Sequence, residues 1–554
     1  MTVEKLDGKM LAEMILQGAH HLKRNSQMID ALNVFPVPDG DTGTNMNLSM
    51  TSGAEEVKTV DQNHAGAVAK ALSKGLLMGA RGNSGVILSQ IFRGFSKVNE
   101  DKETLTTKDF SAALEGGVDT AYKAVMKPVE GTILTVARET AEGSVEAAEK
   151  HTAFIPFMEE VVKAAKASLK RTPELLPVLK EVGVVDSGGQ GLVTIYEGFL
   201  ASLKGEELPA VQETVSMDDM VNAEHHKSAQ DFMNTEDIEY GYCTEFMVKF
   251  EEDKLAENPY DEDAFRNQLS EIGDSLLVVS DEDLIKVHVH AEYPGEAMTL
   301  GQKYGSLINM KIENMREQHT SIVGDKKKGA KQEKKAPYGI VTVSMGEGIR
   351  KLFESLGATV VIQGGQTMNP STQDLSEAIK EAHADRVLIL PNNKNIVMAA
   401  EQAAELADVE VAVIPTKTIP QGMSALLGFN PEADLDTNKE EMSQLMSEVK
   451  TGQVTYAVRD TQIDGLAIEK GHFMGIAESK IQTTAKEALE AAKALLREMI
   501  DEDEDEILTI LTGEEVEEDE IGQLEAYIED TFEDLEVEVH TGGQPIYSYI
   551  FSIE

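Results

Sequence analysis

Along the first two hundred residues apolar positions recur three and four apart. "AGAVAKALSKGLLMGA", "SGVILSQIFRGF", "FMEEVVKAAKASLK" and "GLVTIYEGFLASL" each carry an apolar stripe, with glycines between them. The spacing predicts an all-α domain over residues 1–204, and residues 205–235, which lose the pattern, read as a linker. Alternation takes over in "YCTEFMVKF", "DSLLVVSDEDLIKVHVHAE" and "LINMKIENM", while "DEDAFRNQLSEIG" and "GEAMTLGQKYG" look helical, so a small α+β domain is expected over 236–323. Residues 324–336 hold the lysine-rich stretch "GDKKKGAKQEKKA", which has almost nothing to bury and reads as a flexible tether on which a last domain can swing. From 337 to 554, stretches that open with "YGIVTVSMGEG", "DRVLILPNNKN" and "EILTILTGEE" each run strand, turn, helix, strand. That order predicts an α/β domain with a largely parallel sheet.

Length agrees with several domains, since 554 residues exceed what one hydrophobic core supports. A formal charge of -48 argues against binding nucleic acid or an anionic membrane through bulk electrostatics. The start, "MTVEKLDGKMLAEMILQGAHHLKR", reads as an amphipathic helix rather than a signal peptide, and no apolar run reaches spanning length, so no direct membrane insertion is expected. A single cysteine, Cys243, fits a reducing compartment, and the expected location is the cytoplasm. The acidic run "DEDEDE" at 501–506 is either a solvated loop or a docking face for a basic partner.

Candidate chemistry starts at "NVFPVPDGDTGTNM". Pro36 and Pro38 stiffen the approach to Asp39, and in an extended segment Asp39 and Asp41 point the same way. Two like charges held together call for a cation between them, and a hard divalent ion suits carboxylate oxygens. The competing reading is a solvated turn that caps the next helix through Asp41 or Thr42. The loop is no EF-hand, because Gly43, Thr44 and Met50 stand where that pattern needs other residues, and no phosphate-loop signature occurs in the chain. Three more glycine-bearing segments, "GARGNSG" at 79–85, "KPVEGTIL" at 127–134 and "VVDSGGQG" at 184–191, sit where helices begin, and free N–H groups there favour anions. Each alone reads first as an ordinary capping turn.

Taken in this order over about 200 residues, these segments resemble the nucleotide-binding domain of the dihydroxyacetone kinase family, the DhaL type. The three regions together resemble, more narrowly, the bacterial fatty acid kinase A proteins, which phosphorylate fatty acids held by a separate DegV-like carrier. The resemblance implies a barrel of helices with ATP and two magnesium ions at one end. It makes Asp39 and Asp41 metal ligands, with Asn33 near a third aspartate of the glycerone kinase relatives. Thr44 and Asn45 would meet metal or phosphate. Gly79, Ser84 and Gly85 would line the nucleotide pocket, and Thr132, Asp186 and Gly188 would close it. The α/β domain would dock the carrier, and a homodimer is left open. Two other functions stay open as well: a glycerone-type kinase acting on a small hydroxyl substrate, and a non-enzymatic scaffold that senses ATP.

A second constellation is "YCTEF" with "KVHVHAE". His288 and His290 alternate on one strand, and with Cys243 they form an N, N, S set suited to zinc. Two strand histidines beside a buried thiol are the plain alternative. The family resemblance favours zinc.

Overall fold

The computed structural model describes residues 3–33, 40–125, 127–206, 240–280, 284–314, 335–365, 368–463, 465–532 and 535–554. The expected linker and the lysine-rich tether fall almost wholly outside them. The chain forms two compact units, one of residues 1–209 with 335–554 and one of residues 210–334.

The first part of the larger unit is helical, as its apolar spacing predicts. Its helices are α1 (Gly8–Asp30), α2 (Thr42–Thr59), α3 (Ala65–Gly79), α4 (Gly82–Asn99), α5 (Thr107–Ala124), α6 (Ile133–Lys150), α7 (Phe154–Leu175), the short α8 (Pro177–Val182) and α9 (Ser187–Lys204). Each long helix packs on the next, and α9 packs on both α7 and α1, so the ring closes. An edge-to-face series from Phe92 through Phe95, Phe110, Phe154 and Phe157, with Phe199 and Tyr196 on its other side, fills the interior at centroid separations of 5.0–6.4 Å. Such pairs add about 0.5–1.5 kcal/mol each beyond their buried area.

The second part of this unit, 335–554, carries two sheets. In the first, β5 (Ala336–Ser344), β6 (Val360–Gln363), β7 (Ala384–Leu390) and β8 (Glu410–Val413) lie in the order β6-β5-β7-β8, all parallel. This is the parallel sheet that the strand, helix, strand order predicts. A β10 (Thr461–Ile463) and β11 (Leu466–Ile468) hairpin stands apart. The second sheet joins β9 (Lys450–Tyr456), β12 (Phe473–Ala477), β13 (Lys480–Ala485), β14 (Ile507–Thr512), β15 (Glu536–Thr541) and β16 (Tyr549–Ile553) in the order β13-β12-β9-β16-β14-β15, where only β14 and β15 run parallel. The sequence reading did not separate this mostly antiparallel sheet, because alternation along a strand says nothing of its neighbour's direction.

The two parts are docked, which differs from the expectation of a domain swinging on a tether. Ala80 and Val86, at the junction of α3 and α4, are buried in the same apolar cluster as Leu375, Ile379, Ile396, Ala399 and Ala403 from the α/β part. Around that contact the polar groups are paired across the join. Gln402 Nε2 donates to the Leu77 carbonyl at 2.7 Å, and its Oε1 accepts from Gln90 Nε2 at 3.2 Å. Thr372 N donates to the Ala80 carbonyl at 3.1 Å, and Arg81 meets Asp374 at 3.4 Å. Val182 of α8 packs on the cluster of Ile463 and Ile468.

The smaller unit is the expected α+β domain. Its sheet, β2-β3-β1-β4, is antiparallel throughout, built from β1 (Tyr242–Phe250), β2 (Gly273–Ser280), β3 (Leu284–Ala291) and β4 (Gly305–Asn314). Its core gathers Phe246, Val248, Phe265, Leu269, Val287 and Val289.

Candidate functional site

A solvent-open cavity of about 250 Å³ lies where the helical ring meets the α/β part. It is lined by Asn33, Gly40, Asp41, Thr42 and Asn45, by Asn83, Ser84 and Ile87, by Ile133, by Asp186, Ser187 and Gly188, and by Lys394 and Asn395. Four of these groups are helix starts: Thr42 opens α2, Asn83 and Ser84 open α4, Ile133 opens α6, and Ser187 and Gly188 open α9. In a ring of helices running up and down, every second helix begins at the same end. The first N–H groups of α2, α4, α6 and α9, which have no partner within their own helices, and their positive dipole ends therefore converge on one space, an environment for an anion.

The sequence-expected residues divide within this space. Asp41, Asn45, Ser84, Asp186, Gly188 and Asn33 line the cavity. Asp39 lies outside the described residues. Asp41 Oδ2 accepts from Asn369 Nδ2 of the α/β part at 2.5 Å. Asn33 Oδ1 accepts from the hydroxyls of Thr42 at 2.8 Å and Ser187 at 3.3 Å, which ties the end of α1 to the starts of α2 and α9. Thr44, Gly79, Gly85 and Thr132 are not among the lining residues. The Thr44 hydroxyl and amide both bind Asp30, at 2.8 and 3.2 Å, and Gly43 N donates to the same carboxylate at 2.6 Å. Asp30, not Asp41, thus caps α2. Gly79 and Gly85 allow close helix packing, since a Cβ on either would collide with Ser52 or Ser49 of α2. Thr132 Oγ1 donates to the Val129 carbonyl at 2.7 Å. A different glycine shapes the site. Gly82 sits at φ +58, and a Cβ there would stand 2.6 Å from Asn45 Nδ2.

Sequence reasoning missed Asp30, Asn83, Ser187, Lys394 and Asn395 as parts of this arrangement. Asn83 and Ser187 stand inside quoted motifs, so their place at a helix start was available. Lys394 and Asn395 follow a parallel strand at its carboxyl end, where α/β folds place ligand sites. Only the docking itself shows that this end faces the helical ring.

The donor set fits magnesium and a polyphosphate. Carboxylate, hydroxyl and amide oxygens from Asp41, Thr42, Asn33 and Asn45 are hard ligands. Two buried amide oxygens, Asn83 Oδ1 and Asn369 Oδ1, have no hydrogen-bond partner in the structure. Among the described residues no three His, Cys, Asp or Glu side chains converge on one metal position. In the smaller unit, β1 and β3 pair so that Cys243 is opposite His290, with His288 two residues along β3. His290 is 1% exposed, while the side chains of Cys243 and His288 lie outside the described residues.

Asp186 is the electrostatic anomaly. Its carboxylate accepts from Gly189 N at 2.6 Å and from the backbone of Ile133, which satisfies the starts of α9 and α6 together. It lines the cavity, and desolvation, partly offset by those two hydrogen bonds, pushes its pKa from 3.8 up to about 6. Between those values the folded protein keeps a proton that the unfolded chain has lost. The resulting stabilisation is complete below about pH 4 and is lost as pH rises through about 6. Asp186→Asn has no such proton to lose. The Tm of the apo variant, relative to wild type, is expected to climb from about pH 4 to about pH 7, with about 3 kcal/mol as the upper bound and less as cavity water screens the charge. A difference that stays constant over that range would contradict the assignment.

Comparison with known proteins follows this division of the chain. Residues 36–201 match the DAK2 domain, residues 239–322 the middle domain of fatty acid kinase A-like (FakA-like) proteins, and residues 339–554 their C-terminal domain. Protein YloV of Bacillus subtilis (strain 168) is 61% identical over the whole of both chains, and an uncharacterised protein of Staphylococcus aureus (strain USA300) is 52% identical over the whole of both. Among solved structures, the DegV family protein Cg2579 of Corynebacterium glutamicum aligns with 39% of this chain and 96% of its own at 17% identity and a TM-score of 0.30. The fatty acid kinase B3 protein of Streptococcus pneumoniae, loaded with linoleic acid, aligns with 39% of this chain and 99% of its own at 11% identity and 0.26. Those scores are too low to carry a structural argument, whereas the full-length identities are not. The chain belongs to the fatty acid kinase A-like (FakA-like) family.

Proposed function

We propose that the protein is an ATP-dependent kinase that phosphorylates the carboxyl group of a fatty acid presented by a separate DegV-like carrier protein, giving acyl phosphate for phospholipid synthesis. The observation that carries this reading is the convergence of four helix starts and Asp41 on one cavity, in a chain of this family. Magnesium-ATP bound there would supply the phosphoryl group and neutralise its charge. The starts of α2, α4, α6 and α9 orient the phosphates by backbone N–H donation. Asp41, with Asp39, holds the metal, and Thr42, Asn33 and Asn45 offer further oxygens. Gly82 lets the start of α4 approach the site. A fatty-acid carboxylate, with a pKa of about 4.3 by analogy with glutamate, is already ionised at neutral pH. One of its oxygens forms the new bond to phosphorus as the bond to the ADP oxygen breaks, and no general base is needed. Among the described residues no helix is long and apolar enough to cross a membrane, which suits an acceptor delivered by a soluble protein in the cytoplasm. Asp41→Asn is expected to lower acyl phosphate formation from carrier-bound fatty acid by about a hundredfold or more, with the helical circular dichroism unchanged. Wild-type turnover by the variant at saturating magnesium would contradict it, and efficient turnover of free small ketoses by the native protein would favour a glycerone-type kinase.

We also infer that the smaller unit holds zinc through Cys243, His288 and His290. What supports this is the register that sets Cys243 opposite His290, and thiolate with two imidazoles is a zinc-type donor set. Elemental analysis of extensively dialysed protein should show zinc in the wild type and its loss in His290→Ala, because two remaining ligands hold the ion poorly. Equal zinc in both proteins, or none in the wild type, would refute the site.

A further inference from the structure

Beside the helix starts the cavity is lined by Lys394 and Asn395 of the α/β part, in the loop 391–395 that follows β7. That loop is rigidly placed. Asn392 takes a φ of 55, and its side chain is fully engaged. Its Nδ2 donates to Thr342 Oγ1 at 2.7 Å and to the Val343 carbonyl at 3.0 Å, while its Oδ1 accepts from Thr416 Oγ1 at 2.8 Å. Asn393 Oδ1 accepts from Asn395 N at 2.8 Å, and Ile396 is fully buried immediately beyond. Asn395 Oδ1 in turn lies 3.5 Å from Asn83 Nδ2 in the first turn of α4.

The residue presented by this clamp is Lys394. Among the described lining residues Asp41 and Asp186 carry the acids, and Lys394 is the one cation. The protein has 98 acidic side chains against 50 lysines and arginines, so an exposed lysine on an anchored loop at an anion-favouring cavity is not explained by composition. A lysine kept only to offset Asp41 would need no such preset backbone. A phosphate chain, by contrast, gains from a compact ammonium held in place before the ligand arrives.

We propose that Lys394 of the α/β part binds the phosphate chain of the nucleotide held by the helical ring, so that the nucleotide site is complete only when the two parts are docked. The inference rests on the reading of the cavity as a nucleotide site. It is tested on the full-length chain by equilibrium binding of ATP and of adenosine in the presence of magnesium, for wild type and Lys394→Met. Loss of a charge-assisted hydrogen bond to phosphate predicts ATP affinity lower by about tenfold or more in the variant. Adenosine affinity should be unchanged, which also shows that the cavity is still formed. ATP affinity within about twofold of wild type, or an equal loss for ATP and adenosine, would overturn the role of Lys394 alone. Failure of the wild type to bind ATP would overturn the nucleotide reading and this inference with it.

Discussion

Eight long helices that run up and down and close on themselves must place half of their starts at each end of the ring. This closure is the constraint from which the site follows. It brings α2, α4, α6 and α9 to one end with their first N–H groups unpaired by the helices themselves. The protein resolves part of that excess with acids of its own: Asp30 takes the amides of Gly43 and Thr44, and Asp186 takes those of Gly189 and Ile133. What is left over, notably at the start of α4 where the Arg81 side chain makes no cap hydrogen bond, faces the cavity. The raised pKa of Asp186 comes from the burial of its carboxylate at those starts, and the two backbone hydrogen bonds offset only part of it.

The second condition is that the open end of the ring is covered. Ala80 and Val86 supply the apolar part of that contact, and Gln402 the polar part, with partners for its amide on both sides of the join. Truncating such an amide leaves buried groups unsatisfied at a cost of about 1–3 kcal/mol, so the docked arrangement is specific rather than a loose collision. Arg459 extends it to the aspartate loop, because its guanidinium donates to the carbonyls of Ala31, at 2.7 Å, and Asn33 just before that loop begins. Burial holds the pKa of Arg459 below the ordinary arginine value. The site and the interface are therefore one construction: Asn369 touches Asp41, Asn395 touches Asn83, and Arg81 bonds the Asn369 carbonyl from the helical side.

The parts of this arrangement that depend on short stretches of chain were legible in the sequence. Apolar spacing gave the helices, and "VVDSGGQG" placed Asp186 and Gly188 at a helix start, where they stand. "GARGNSG" likewise placed Ser84 at the start of α4, yet it could not tell which glycine serves the cavity. Gly79 and Gly85 serve helix packing and Gly82 the cavity, a distinction set by Ser49, Ser52 and Asn45 on another helix. Asp30 was invisible because its role as a cap is played across thirteen residues of separation. Docking was misjudged for a related reason. A lysine-rich stretch describes the connection, but complementarity between the surfaces it joins resides in Ala80, Val86 and Gln402, which each look like ordinary core or helix residues in their own segments.

The central claim is that helix starts and the loop after β7 form one nucleotide site across the join. Amide hydrogen exchange on the full-length protein, with and without magnesium-ATP, tests it most directly. The account predicts slower exchange on nucleotide addition at residues 41–46, 82–87 and 187–190 together with 392–396. Protection confined to the helical ring, or absent from all four segments, would contradict it.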